Sequence, residues 1–300
     1  MNILITGGTG LVGKAIFQGL EQGGHSVAVL TRNKKTAHVP SYYWNVEEGV
    51  LDQAAIEYAD IIIHLAGENI SNKMWSKVQK KIIIDSRVKT TELLFNALQN
   101  KKKKLKAFIS ASAIGYYGTY NSDRLLKEED RPGSDFLAET VVKWEAAVKK
   151  INSLGIPVSI LRMGVVMSLK GGVLPKMLTP IKLGMGSAIG NGKQWVPWIA
   201  LSDLAAMFLF VINKDKEEHG AGMHIYNAVA PHHINNKTLM KTLAKSQKKP
   251  FFMPALPAFL LKIIYGEMAS ILLYGTRVSS EKIRKDGFKF EINSIPDLFL

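Results

Sequence analysis

Short aliphatic and β-branched runs alternate with longer stretches of helical periodicity through the first half of the chain. Asn2–Thr6, Ser26–Thr31, Ile61–Leu65, Ala107–Ala111 and Val158–Met163 read as strands; Leu11–Gln22, Trp75–Gln99 and Phe136–Ser153 read as helices. Strands separated by helices in this order pair in parallel, because each crossover brings the chain back to the same edge of the sheet. Ile61-Ile62-Ile63-His64-Leu65 is apolar without alternation, which suits a strand covered on both faces. The pattern predicts an α/β fold built on a doubly wound parallel sheet.

The first strand runs directly into Gly7-Gly8-Thr9-Gly10-Leu11-Val12-Gly13 and then into a helix. In this strand–turn–helix setting the glycines serve different ends. Gly7 turns the chain, Gly10 lets a pyrophosphate approach the backbone, and Gly13 lets the helix pack closely. The amides at the helix N-terminus then face the phosphates. This is the dinucleotide signature of a Rossmann sheet, with Thr9, Leu11 and Val12 completing the turn. At the end of the second strand, where an NAD site usually places a carboxylate for the ribose hydroxyls, the chain has Thr31-Arg32-Asn33. A guanidinium there grips a 2′-phosphate, so NADP(H) is the expected cofactor.

Past about residue 166 glycines and prolines cluster up to Pro197, and a helix follows at Ser202–Ile212. The expected division is a dinucleotide-binding domain at 1–166, with 195–230 returning to it, and a smaller, mostly helical substrate lobe at 167–194 and 231–300. Ala255 to Gly275 is the longest apolar stretch, but Lys262 and Glu267 interrupt it, which predicts an amphipathic helix and not a membrane span. No cysteine is present, which removes disulfides, thiolate ligands and cysteine nucleophiles and fits a reducing, cytoplasmic setting. The first strand leaves no room for a signal peptide, so the chain is expected to begin at Met1. A net charge of +14 raises the question of nucleic acid. Much of the lysine, however, sits in runs such as Lys101–Lys104, and no basic-aromatic interleaving or known nucleic-acid motif accompanies it. The expected partner is a small molecule, without nucleic acid or membrane.

Several longer motifs narrow the reading: Thr6–Gly13, His64–Ile70, Asp85–Val88, Ser110–Gly118, Lys143–Ala147, Gly190–Trp195, Pro197–Ile199 and Asn227–Pro231. Together they resemble the atypical extended short-chain dehydrogenase/reductases, and within them the NAD-dependent epimerase/dehydratase relatives called epimerase family proteins. Gly266-Glu267-Met268 and Gly287–Phe290 resemble the terminal segment of unknown function in that group. The resemblance implies that Leu65, Ala66 and Gly67 line the cofactor path and that Arg87 and Val166 touch it.

Reductases of this type use a Ser/Thr, a Tyr, and a Lys four residues after the Tyr, whose charge lowers the tyrosine pKa. Ser112 matches the first, and Tyr116 or Tyr117 could supply a phenol. Tyr-x-x-x-Lys is absent from the expected helix, which offers Glu139 and Lys143 at i, i+4 instead, either as a proton-transfer pair or as a surface ion pair. Trp195 and Trp198 could stack on a flat or sugar-like ligand or pack in a core. Two readings follow: an NADP(H)-dependent oxidoreductase or epimerase-like enzyme acting on a small carbonyl or hydroxyl compound, or a non-catalytic NADP(H)-sensing protein.

Overall fold

One sheet contains eight strands: β1 (Asn2–Thr6), β2 (Ser26–Thr31), β3 (Ser41–Asn45), β4 (Val50–Leu51), β5 (Ile61–His64), β6 (Ala107–Ala113), β8 (Val158–Met163) and β11 (Met223–Ala228). They lie in the order β11-β8-β6-β5-β1-β2-β3-β4, with every neighbouring pair parallel except β3 and β4. The computed structural model describes residues 1–33, 39–103, 105–217 and 222–299, without the side chains of 215–217. Lys104 of the lysine run lies outside them. The five strands expected from sequence are the central five, and the outer strands β3, β4 and β11 extend them.

Helices α1 (Leu11–Gln22) and α6 (Leu201–Glu217) pack together, and α3 (Lys77–Gln99) packs on α4 (Phe136–Asn152). Covered in this way, Ile3 to Ile5, Ile61 to Ile63, Phe108, Ile109, Ile160 and Leu161 are all inaccessible to solvent. That is the burial a doubly wound Rossmann sheet requires. Helix starts follow their caps. Asp52 accepts from Ala54 N–H to open α2 (Gln53–Tyr58), and Asp135 accepts from Ala138 N–H to open α4. Ser76 accepts from Gln79 N–H, so α3 begins at Lys77 and not at Trp75.

The chain leaves the sheet at Gly164, whose N–H bonds Ala228 O. It then forms β9 (Val165–Met167), α5 (Val173–Lys182) and β10 (Trp198–Ala200), with β9 and β10 paired in parallel. After α6 it returns through β11, which bonds β8 along its full length. Short strands β7 (Ser122–Leu126) and β12 (Thr276–Val278) tie the segment before α4 to the C-terminal part. A second core gathers Leu174, Leu178 and Ile181 of α5 with Leu239, Met240 and Leu243 of α7 (Asn236–Ser246). The apolar stretch Ala255 to Gly275 is not one helix. Helix α8 (Ala258–Tyr265) stops at Gly266, whose φ of +56 favours glycine, and a 3-10 turn and the short α9 (Ser270–Leu273) follow. No helix among the described residues is long and apolar enough to cross a membrane.

Candidate functional site

The sheet reverses its direction of winding between β1 and β5, and the crevice outside the carboxyl ends of such neighbours is where open α/β sheets take ligands. The glycine turn sits there. Gly7 has φ +69, and a Cβ on it would stand 3.0 Å from Leu65 C and O. A Cβ on Gly13 would fall 2.5 Å from Gly7 O and 2.6 Å from Gly8 Cα, so only glycine lets α1 press onto the turn. Gly10 is the N-cap of α1 and brings no side-chain hydrogen bond. Its N–H bonds Gly7 O and its carbonyl takes Lys14 N–H, which leaves the first-turn amides of Leu11, Val12 and Gly13 for an anion. Thr9 and Gly10 are exposed at the rim.

Beneath the turn lies a buried polar knot. Thr6 Oγ1 accepts from Leu65 N–H at 3.1 Å and Ala66 N–H at 3.2 Å, so its own proton goes to His64 Nδ1 at 2.7 Å. The Nε2–H of His64 then points to Thr91 Oγ1 at 3.0 Å. Burial, with the nearby Arg87 charge adding to it, lowers the His64 pKa to about 3, so this is a neutral, satisfied core histidine. Arg87 donates to Ile83 O at 2.9 Å and Glu68 O at 3.0 Å, and its guanidinium stands 5.3 Å from the Trp144 ring centroid. Among the described residues it has no ion-pair partner, which removes the surface salt bridge as its explanation. Burial brings its pKa down to about 10. A Cβ on the exposed Gly67 would lie 3.2 Å from Arg87 Cζ, so this loop passes directly over the guanidinium.

At the end of β2 Arg32 is exposed, and Thr31 Oγ1 accepts from Asn33 N–H at 3.2 Å to turn the chain. The lobe reaches the site through Gly171-Gly172. A Cβ on Gly172 would meet Leu11 Cδ2 at 3.3 Å and Val166 O at 3.8 Å, so this loop closes on the start of α1 with partly buried Val166 beside it.

The residues matched to proton transfer have partners of their own within the protein or at its surface. Ser112, near the carboxyl end of β6, is fully buried, and its hydroxyl donates to Glu145 Oε1 at 2.7 Å. Tyr117 is 2% exposed; its hydroxyl donates to Asn227 Oδ1 at 2.7 Å and receives Arg162 Nη1–H at 3.1 Å. Burial raises the Tyr117 pKa against the pull of Arg162, the reverse of what a proton shuttle needs. Glu139 and Lys143 form a 2.6 Å ion pair on the outer face of α4, with side chains 57% and 50% exposed. The positions of α4 that face Gly115 at the strand end are Leu137 and Val141, an apolar i, i+4 pair. Trp198 is 1% exposed in the second core with Nε1–H donated to His232 O, so it does not stack on a ligand. Trp195 is half-buried: its Nε1–H bonds Asp123 Oδ1 at 2.7 Å, and Arg277 stands 5.4 Å from its ring centroid.

What sequence reasoning missed is the ion pair that organises these hydroxyls. Arg162 Nε and Nη2 donate to Glu145 Oε1 and Oε2 at 2.8 and 3.0 Å, both residues at most 2% exposed. Arg162 also donates to Glu128 O and stacks at 3.4 Å on the Tyr116 ring centroid. A signal was present. Arg162 interrupts the apolar strand Val158–Met163, and Glu145 shares its helix face with Val141 and Val148, so each announced a buried charge that needed the other.

The model of the NAD dependent epimerase/dehydratase family matches residues 3–228, and that of a domain of unknown function, DUF1731, matches residues 256–298. The epimerase family protein YfhF of Bacillus subtilis is 32% identical over 297 residues, which span 98% of this chain and 95% of the relative. The human epimerase family protein SDR39U1 (isoform 2), solved with NADPH, superimposes with a TM-score of 0.84 at 28% identity, covering 100% of this chain and 97% of that one. The nucleoside-diphosphate sugar epimerase from Corynebacterium glutamicum gives a TM-score of 0.77 at 29% identity, over 99% of this chain and 57% of that longer one.

Proposed function

The chain belongs to the NAD dependent epimerase/dehydratase family, and on that premise we propose that it binds NADP(H) at the carboxyl ends of β1, β2 and β5. The observation that carries this reading is the uncapped start of α1 above the glycine turn, beside a β2 end that offers Arg32 and no carboxylate. In the bound state the amides of Leu11, Val12 and Gly13 hold the pyrophosphate, Arg32 holds the 2′-phosphate, and Leu65, Ala66, Gly67, Arg87 and Val166 border the remaining length. The human relative solved with NADPH supports the phosphorylated cofactor. A nicotinamide bound there exchanges hydride with a small carbonyl or hydroxyl compound, and the activity proposed is that of an oxidoreductase or epimerase-like enzyme. The substrate side is the lobe that closes on Leu11 through Gly171-Gly172.

A second reading has a specific observation in its favour. Ser112 and Tyr117 spend their hydroxyls inside the protein, and Glu139 with Lys143 faces solvent. A protein that retains the cofactor cleft without this proton relay is suited to sensing NADP(H) instead of turning it over.

Fluorescence titration with NADPH and with NADH, read as energy transfer from the tryptophans, tests the common ground. Tighter binding of NADPH, weakened about tenfold or more in Arg32→Glu, is expected from the loss of a charge-assisted contact and its replacement by a repelling one. Equal affinity for both dinucleotides overturns the assignment of Arg32. NADPH turnover above background on a panel of carbonyl compounds then selects the enzyme, and background turnover throughout selects the sensor.

A further inference from the structure

We propose that the C-terminal lobe carries a docking face for the surface of an anionic lipid bilayer, formed by the outer side of the Phe252–Tyr265 segment and the lysines around it. This inference is independent of the cofactor reading and departs from the expectation, drawn from the sequence, of no membrane partner.

The segment is exposed where an ordinary surface would be polar. Phe252 is 73% exposed, Phe259 61%, Ile263 74% and Ile264 58%. Helix α8 turns Leu261 inward, against Ala269 and Leu273, and presents Phe259, Ile263 and Ile264 to solvent. A helix lying on a water-facing surface carries polar residues on that side; this one is apolar on both. The segment is also firmly seated. Leu256 N–H bonds Ala188 O at 2.8 Å and Gly190 N–H bonds Leu256 O at 2.9 Å. The apolar surface extends past it, because a Cβ on Gly186 would lie 3.5 Å from Phe251, which brings exposed Leu183 and Met185 alongside.

Charge decides what covers this face. Residues 167–194 and 231–266 contain ten lysines and no aspartate, glutamate or arginine, so this lobe carries most of the net charge of +14. All ten lysines are exposed, and among the described residues none is in an ion pair. Elsewhere several lysines are neutralised by a carboxylate: Lys80 pairs with Glu267, Lys103 with Asp60 and Lys214 with Asp286. Lys241, Lys245, Lys248 and Lys249 line a shallow groove with Thr242 and Phe251, next in sequence to Phe252, and Lys262 rises from α8 itself. Large apolar side chains ringed by unpaired lysines are complementary to acyl chains beneath anionic headgroups. A second copy of the chain would press two carboxylate-free faces together, and a nucleic acid would leave the aliphatic side chains in water.

The test is flotation of the full chain with vesicles of phosphatidylcholine alone and of phosphatidylcholine mixed with phosphatidylglycerol. It is repeated with Phe259→Ser/Ile263→Ser and with Lys248→Glu/Lys249→Glu, each checked for folding by circular dichroism. Binding to the mixed vesicles only, reduced about tenfold or more in each double variant, is the expected result, since each lysine near an anionic surface and each inserted side chain adds to affinity. Absence of binding to both vesicle types overturns the proposal. So does unchanged binding of the Phe259→Ser/Ile263→Ser protein, which would leave only a diffuse charge contact. A dimer in sedimentation velocity that the same variant dissolves would make a second copy the occupant and also overturn it.

Discussion

Removing the Glu145 carboxylate should cost far more than removing any hydroxyl attached to it, and the two effects should not add. Arg162 is 1% exposed, and its carboxylate partner is Glu145. Glu145→Ala therefore strands a buried guanidinium, a loss of about 3–5 kcal/mol by analogy with other broken buried pairs. That is a large part of the roughly 5–15 kcal/mol available to a native protein. Ser112→Ala removes one hydrogen bond to the same carboxylate, while Arg162 keeps two, so about 1.5–3 kcal/mol is the upper range. In the Glu145→Ala background the Ser112 hydroxyl has lost its acceptor, and Ser112→Ala should then cost almost nothing. Urea unfolding of the four proteins closes the cycle, with a coupling energy close to the whole cost of Ser112→Ala. Glu145→Gln, which keeps the shape and part of the bonding, should lie between wild type and Glu145→Ala. The reasoning is refuted if the two changes add, or if Ser112→Ala keeps wild-type stability while abolishing NADPH-dependent turnover, since the hydroxyl would then belong to the crevice.

Two further outcomes follow from the site. Gly13→Ala sets a methyl 2.5 Å from Gly7 O, where the obstacle is backbone, and should destabilise by about 1–3 kcal/mol and weaken NADPH binding, whereas Gly7→Ala combines a strained φ with a milder 3.0 Å contact; wild-type melting and binding in Gly13→Ala would show that the turn does not need its close packing. His64 binds its proton in the unfolded chain near pH 6.5 but in the folded one only near pH 3, so its contribution is complete above 6.5 and is lost as the pH falls. Between pH 6.5 and 5 this amounts to about 2 kcal/mol at 1.36 kcal/mol per unit, measured by urea unfolding against a His64→Gln protein, in which the slope should flatten.

The parts of this structure that were legible in the sequence are those set by neighbours in the chain. The glycine turn could be read because its strand, glycines and helix follow one another directly in the chain, with the contacts of Gly10 and Gly13 falling inside the turn itself, and the central strands because their apolar runs lack alternation. Strand β11 was missed because Met223–Ala228 is too polar to announce itself and becomes a strand only by pairing with β8. Ser112 was assigned by its place at the end of an apolar strand. Which face it occupies is settled instead by Glu145, 33 positions away on a helix, and by Arg162. Tyr117 is fixed by Asn227, 110 positions away. In the same way, Trp195 and Trp198 lie three positions apart in sequence but differ in surroundings, Trp198 buried in the second core and Trp195 half-buried against Asp123 and Arg277.

The late return of β11 bears on how this protein is made. Strand β8 is covered by β6 on one edge as soon as it is synthesised, but its other edge waits for residues that emerge roughly sixty positions later, after α5, β10 and α6. Until then Val158 to Leu161, all buried in the finished sheet, present an open row of hydrogen-bonding groups, the kind of edge to which another chain adds a strand. A fragment that stops after β9 is therefore no smaller edition of the nucleotide-binding half. It is a sheet with its last seam unsewn, and the lobe translated in between is the delay through which that seam must be kept apart from other chains.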